Sequence, residues 1–252
     1  MVDLEKLPNE TMPFAERKNF ITIGNFRHAP NWDAVLHLQT IWPSIRKRIP
    51  EAECHIYGAY PPPKATALNN PKTGFLIKGW AENAFSVMEA ARICLAPIRF
   101  GAGIKGKLLD AMIMQTPSIT TSLGSEGMHQ QEPWPGVITD DTNDFIEAAV
   151  SLYRDEKAWI DAQKNASALL KAQYDSHKLG DQLIEKISKI VDPKKIDYVI
   201  SNHTEMDHSG GLPRIMHRVG EDKPLYCSKM GAKNLTRHFP RKWNYHAVGS
   251  GE

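Results

Sequence analysis

The sequence predicts an α/β fold: a doubly wound parallel sheet over most of the chain, followed by a short α/β segment of different character. Three observations predict it. Short β-type runs alternate with helical patterns between residues 20 and 142. Two of the earliest runs close on a glycine, Gly24 and Gly58, as strand ends often do. Beyond 142 the pattern is helical until Val191-Asp192-Pro193 interrupts it, and a new strand–helix alternation begins.

Residues 1–18 are polar, contain Pro8 and Pro13, and read as a leader or linker. The first strand is expected at 20–23. A helix follows over 32–48, with Ala34, Val35, Leu38 and Ile41 on one stripe; Pro43 is expected to kink it, and Pro50 lies just past its end. The second strand is 54–57, a proline loop covers 61–63, and the third strand is 74–78. A short helix at 84–92 leads to a fourth strand at 93–97, a helix at 107–114, a fifth strand at 118–121 and a sixth at 136–139. This succession predicts a Rossmann-like sheet with helices on both faces, which binds ligands at the carboxyl ends of its strands. Helical spacing then covers 144–153, 157–174 and 179–190. After the break come a strand at 196–200, a helix at 212–219, a strand at 225–228 and a helix at 230–239. The expected divisions are therefore 1–18, 19–190 and 191–252.

Thirty-one basic residues against twenty-nine acidic leave a net charge of +2, too little to make nucleic acid the main partner. No apolar run approaches the ~18 residues of a membrane span, and the first residues lack the apolar core of a signal peptide, so a cytoplasmic location is expected. Peripheral membrane contact stays open. The three cysteines, Cys54, Cys94 and Cys227, are odd in number and far apart; Cys54 and Cys94 fall in strands and read as buried thiols. Trp42, Trp80, Trp134, Trp159 and Trp243 read as core or surface aromatics, and Arg46-Lys47-Arg48 as a helix C-terminus matched to the dipole.

Two strand ends combine glycine with cations. One is Gly24-Asn25-Phe26-Arg27-His28-Ala29-Pro30-Asn31. The other is Arg99-Phe100-Gly101-Ala102-Gly103-Ile104-Lys105-Gly106-Lys107. Glycines let the backbone approach a phosphate, and the helix that follows offers unpaired N–H groups at the positive end of its dipole. Asp110, one turn beyond Lys107, is a carboxylate able to accept from a pair of ribose hydroxyls. The glycine spacing alone fits a tight strand-to-helix turn with a solvated lysine pair equally well.

The longer pattern is more specific. The stretch from Gly24 to Ala34 resembles the opening of the C-terminal domain of family 4 glycosyltransferases. The run Leu95-Ala96-Pro97-Ile98-Arg99 through Lys107-Leu108-Leu109-Asp110-Ala111-Met112 resembles that family's donor-site motif, and Thr116 to Gly127 resembles the strand and turn after it. The resemblance covers roughly residues 19–190. It implies the donor half of a GT-B, retaining enzyme that binds a nucleoside-diphosphate sugar and stabilises the departing diphosphate electrostatically, with no obligatory metal or other cofactor. It implies that Arg27 and Lys105 hold the diphosphate, that Gly24, Gly101 and Gly103 let the backbone close on it, that Asp110 takes the ribose, and that Gly79, Trp80 and Ala81 lie near the base. Ala102 stands where the family has the first glutamate of a pair. The family's acceptor-binding domain has no counterpart in this sequence, so donor binding with little or no transfer is expected.

His203-Thr204-Glu205-Met206-Asp207-His208 packs four potential metal ligands into one loop, and nitrogen and oxygen donors suit iron or zinc. The run from Ile196 to Pro213 resembles flavodiiron proteins, which hold two irons in a metallo-β-lactamase-like fold. The resemblance implies that His203 and Glu205 ligate one iron and Asp207 and His208 serve the other, in a site left incomplete here. The chain thus reads as parts of two families. It could equally be a recombined or designed chimera with no activity of its own.

Overall fold

Strand β1 (Lys18–Ile23) lies at the middle of a six-stranded sheet because it is apolar on both faces: Phe20 and Ile21 point to opposite sides and are both buried. Its neighbours are β2 (Cys54–Tyr57) and β4 (Ala91–Ala96). With β3 (Phe75–Gly79), β5 (Ser118–Thr120) and β6 (Gly136–Ile138), the spatial order is β3-β2-β1-β4-β5-β6, and every pair is parallel. The structure described is a computed structural model, and it describes residues 2, 4, 7, 11–202, 204 and 209–249.

Helices cover both faces. On one lies α1 (Ala29–Arg48), whose buried stripe of Ala34, Val35, Leu38, Ile41, Trp42 and Ile45 packs with Phe20, Ile56 and Phe145. Phe145 belongs to α6 (Thr142–Arg154). The four-residue helices α2 (Pro63–Thr66) and α5 (Ser122–Ser125) lie in loops. On the other face α3 (Ala84–Ala90) and α4 (Gly106–Ile113) bury Met88 and Ala111 against Ile21 and Cys94. The predicted doubly wound parallel sheet is therefore present. Helix α1 continues through Pro43, which sits on its exposed side. Cys54, Cys94 and Cys227 are free and buried, as expected.

Helix starts follow the sequence closely. Asn83, Asp141, Asp155 and Asp175 each accept hydrogen bonds from backbone amides of the first turn, opening α3, α6, α7 (Glu156–Leu169) and α8 (Ser176–Ser188). Sequence spacing ran a single helix to 174; instead α7 passes into a π-helical turn at Leu170–Tyr174.

That turn is where the chain divides. One compact unit is Pro8–Leu170, and the other is Met1–Leu7 with Lys171–Glu252. The sequence placed the change of character near 190. The difference arises because α8 packs with the helix Leu212–Val219, where Arg214 bonds both Asp181 at 2.8 Å and His177 at 2.7 Å. Several of the described residues within 1–18 are packed. Val2 is buried and bridges Tyr174 and Ser176, while Phe14 and Arg17 belong to the core of the larger unit. Arg17 is a charged side chain withdrawn from solvent. It is fully buried, donating to the carbonyls of Met12 and Met114 and to Thr116 Oγ1, with Trp159 stacked beneath.

In the smaller unit β7 (Val199–Ser201), β8 (Pro224–Ser228) and β9 (Asn244–Val248) form a second parallel sheet in the order β7-β8-β9. One face packs with the helices Leu212–Val219 and Lys229–His238 around Met216, Leu225 and Leu235. Among the described residues no helix is long and apolar enough to cross a membrane.

Replacing Arg17 by Met removes donors from three buried acceptors, so a loss of about 2–4 kcal/mol is expected. Urea unfolding followed by tryptophan fluorescence measures it; a loss within experimental error would show the cluster to be dispensable.

Candidate functional site

Strands β1 and β4 are hydrogen-bonded neighbours, but the chain leaves β1 for α1 on one face and β4 for α4 on the other. The two loops diverge, and a cleft of about 400 Å³ opens at the carboxyl edge between them. From the first side it is lined by Ile23, Gly24, His28, Pro30 and Asn31. From the second side come Ile98, Phe100, Gly101, Ala102, Ile104, Lys105, Gly106, Lys107 and Asp110, with Ala84 at the start of α3.

Local backbone chemistry explains the shape. Gly101 and Gly103 have φ of +121° and +74°, conformations that other residues rarely adopt. Gly24 is required for space: a Cβ there would lie 2.6 Å from the Asn31 side chain. The two helices that open on the cleft differ from α3, α6, α7 and α8. His28 and Lys105 occupy the N-cap positions of α1 and α4, and neither side chain caps its helix. In α1 the amides of Asn31 and Trp32 donate to the His28 carbonyl and Pro30 has no N–H, so α4 offers more: its first two amides, of Gly106 and Lys107, lie at the positive end of the dipole.

Each cation near the cleft has a distinct setting. Lys107 is half-buried and donates through Nζ to Asn31 Oδ1 at 2.8 Å; burial pulls its ammonium down to about 8. Lys105 lines the cleft and bends back to the carbonyl of Gly103 at 2.6 Å. Arg99 is held in a two-pronged ion pair with Asp33 of α1, at 2.9 and 2.6 Å, and this bond holds the Asp33 carboxyl below its ordinary range. Asp110 is half-buried on the second side, and burial pushes its carboxyl up to about 6. Behind the cleft the Cys94 thiol is pushed up to about 12 by burial, with Lys107 and Asp110 among its charged neighbours. A lysine and a carboxylate are thus both held in partly desolvated positions, as at ligand sites that use charge.

Of the residues expected from sequence, Gly24, Gly101, Lys105 and Asp110 line the cleft together; Gly103 lies in the same loop but is not among the lining residues. Arg27 is not among the residues lining this cleft. Its guanidinium stacks on the Tyr60 ring, 3.9 Å from the centroid, on an exposed part of the β1–α1 loop. Trp80 does not line the cleft and is 72% exposed. His203, Glu205, Asp207 and His208 lie outside the described residues, and no cluster of metal ligands occurs among those described. Sequence reasoning missed Asn31 as a site residue. Its signal was only its place in the first turn of the helix after the glycine loop. A broader concavity past β5 and β6 presents the carboxylates of Glu126 and Asp140, which do not suit an anion.

The family described as glycosyl transferases group 1 matches residues 17–155. Among solved structures, a mutant of S. aureus TarM in complex with fondaparinux, alpha-GlcNAc-glycerol and UDP superposes with a TM-score of 0.59 at 15% identity, covering 73% of this chain and 38% of that one. Sucrose-phosphate synthase from Thermosynechococcus elongatus gives 0.53 at 15% identity over 71% of this chain and 46% of that one. These likenesses establish a GT-B type of parallel-sheet α/β fold. Curated relatives match a shorter portion of the chain. The anaerobic nitric oxide reductase flavorubredoxin of Pectobacterium atrosepticum is 34% identical over 77 residues, 30% of this chain and 15% of that protein. The rubredoxin-oxygen oxidoreductase of Megalodesulfovibrio gigas is 38% identical over 72 residues, 28% of this chain and 18% of that protein. The chain therefore spans less than a fifth of the length of these two relatives.

Because the folded state raises the Asp110 carboxyl above its ordinary value, its charge opposes folding above pH 6 and ceases to matter once both states are protonated. Asp110→Asn is expected to stabilise the protein by about 1–3 kcal/mol near pH 7, a gain that shrinks as pH falls through 6 towards about 4. Unfolding titrations at the two pH values check this; an equal change at both would contradict it.

Proposed function

This chain belongs to the group 1 glycosyl transferases, and we propose that its cleft between the β1 and β4 loops binds the nucleoside diphosphate of a sugar donor. One observation carries the reading: two uncapped helix N-termini and a half-buried lysine meet at the point where the sheet order reverses. Such a place favours a ligand with concentrated negative charge. The opening amides of α4, with Lys105 and Lys107, take the diphosphate. Gly24, Gly101 and Gly103 leave room for close approach, and Asp110 accepts from the ribose hydroxyls. The presence of UDP in the TarM complex supports a nucleotide ligand for this fold.

In sugar transfer the developing charge is on the leaving diphosphate. Cations and amides fixed before the reaction stabilise that charge without reorganising. Lys107 is suited to this because burial already restrains it. Ala102 lines the cleft without offering a carboxylate, so the sugar's hydroxyls find their acceptors elsewhere.

A saturable rise in melting temperature is expected with one of UDP, GDP or ADP, equivalent to about 2.7 kcal/mol at a hundredfold excess over Kd. Lys105→Ala is expected to weaken binding about tenfold, the scale of one charge-assisted hydrogen bond. No shift with any of the three would overturn the donor reading.

A second reading applies to the unit that contains Lys171–Glu252, because of the flavorubredoxin similarity. His203, Glu205, Asp207 and His208, outside the described residues, supply donors suited to iron. Iron measured in the purified full chain is expected to fall on His203→Ala; an iron content near zero in the unchanged protein would remove this reading.

A further inference from the structure

Asn31 and Lys107 meet across the reversal point from the first turns of two different helices, α1 and α4. The amide is fixed at both ends. Its Oδ1 accepts from Lys107 Nζ at 2.8 Å, and its Nδ2 donates to the carbonyl of Asn25 at 3.1 Å. That pairing sets its orientation, because a carbonyl can face only the NH₂ and an ammonium only the oxygen. Gly24 leaves the space the amide fills, since a Cβ there would lie 2.6 Å from Asn31 Cγ. Asn31 therefore joins the β1 loop to the β4 helix at the base of the cleft.

We propose that Asn31 is a positioning residue that holds the Lys107 ammonium where the donor's diphosphate arrives. The inference rests on the nucleotide-sugar reading of the cleft. A free lysine has a flexible four-carbon stem and points in no fixed direction. Here one of three donors is committed to Asn31, and two remain for phosphate oxygens. The other cations of the loops are placed differently: Lys105 folds onto its own loop, and Arg27 lies on Tyr60. The titratable groups around Lys107 include Cys94 on β4, Tyr57 on β2, Asp110 farther along α4, Lys105 before it and His28 on the α1 side. Burial lowers the ammonium's pKa to about 8, so losing an acceptor for the charged form would lower it further.

The test uses the full chain with ¹³C-labelled lysine, as wild type, Asn31→Ala and Gly24→Ala. Gly24→Ala displaces the Asn31 amide without deleting it. NMR follows the Lys107 titration, and calorimetry measures UDP, GDP and ADP; the parent nucleosides are followed by NMR. In both variants the Lys107 midpoint is expected to fall. Diphosphate affinity is expected to drop about tenfold while nucleoside affinity changes less than about twofold. An unchanged midpoint in both variants would overturn the proposal. So would an equal loss of diphosphate and nucleoside binding together with a lower melting temperature, which marks a merely structural role. If the wild type binds no nucleotide, the donor reading falls, and with it the diphosphate role of Lys107. The Lys107 titration then still decides whether Asn31 positions it.

Discussion

The pairing of β1 with β4, two adjacent parallel strands whose chains depart to opposite faces, is the constraint on which the cleft depends. The departure is enforced by burial. Phe20 requires α1 and α6 on one side, and Ile21 requires α3 and α4 on the other. Loops that leave a sheet in opposite directions cannot fill the space between their first residues. The gap at the carboxyl edge is thus a by-product of covering a sheet on both faces.

What occupies the edge of that gap is electrostatically unfavourable to the empty protein. Lys107 and Asp110 both lose hydration there, each moved towards its neutral form. Elsewhere in the larger unit buried charge is answered by dense hydrogen bonding. Arg17 has three acceptors, and Arg92 donates to the carbonyls of Phe14, Arg17 and Tyr153. Among the described residues, Lys107 donates one hydrogen bond, to Asn31. Sites that bind ligands commonly forgo stability in this way, because a group fully satisfied by the protein has nothing left to offer.

The smaller unit shows a parallel sheet covered on one side. Its helices bury Leu225 and Cys227, while Tyr198 and Ile200 remain 55% and 59% exposed. Across the strands Tyr198 meets Tyr226 edge-on at 5.7 Å, and Tyr226 meets His246 at 5.0 Å. Cross-strand aromatic contacts of this kind stabilise a sheet without a second layer.

The sequence by itself determined the order and type of the main strands and helices, though not β9 or the π-helical turn at Leu170–Tyr174. Apolar runs ended by glycine specified β1 and β2, and aspartates before helical stretches specified where α6, α7 and α8 begin, because strand ends and caps are local chemistry. It also identified the glycines, Lys105 and Asp110 of the cleft, since a glycine loop leading into a helix is a local pattern. Tertiary structure decided the rest. It buried Arg17 through acceptors as distant in sequence as Thr116. It moved the unit boundary to Leu170–Lys171, because helix packing between α8 and Leu212–Val219 is not visible in either segment. It turned Arg27 aside onto Tyr60 and brought Asn31 to Lys107 across 76 residues. Pairings of that kind depend on which strands become neighbours, and a sequence carries no local trace of its own strand order.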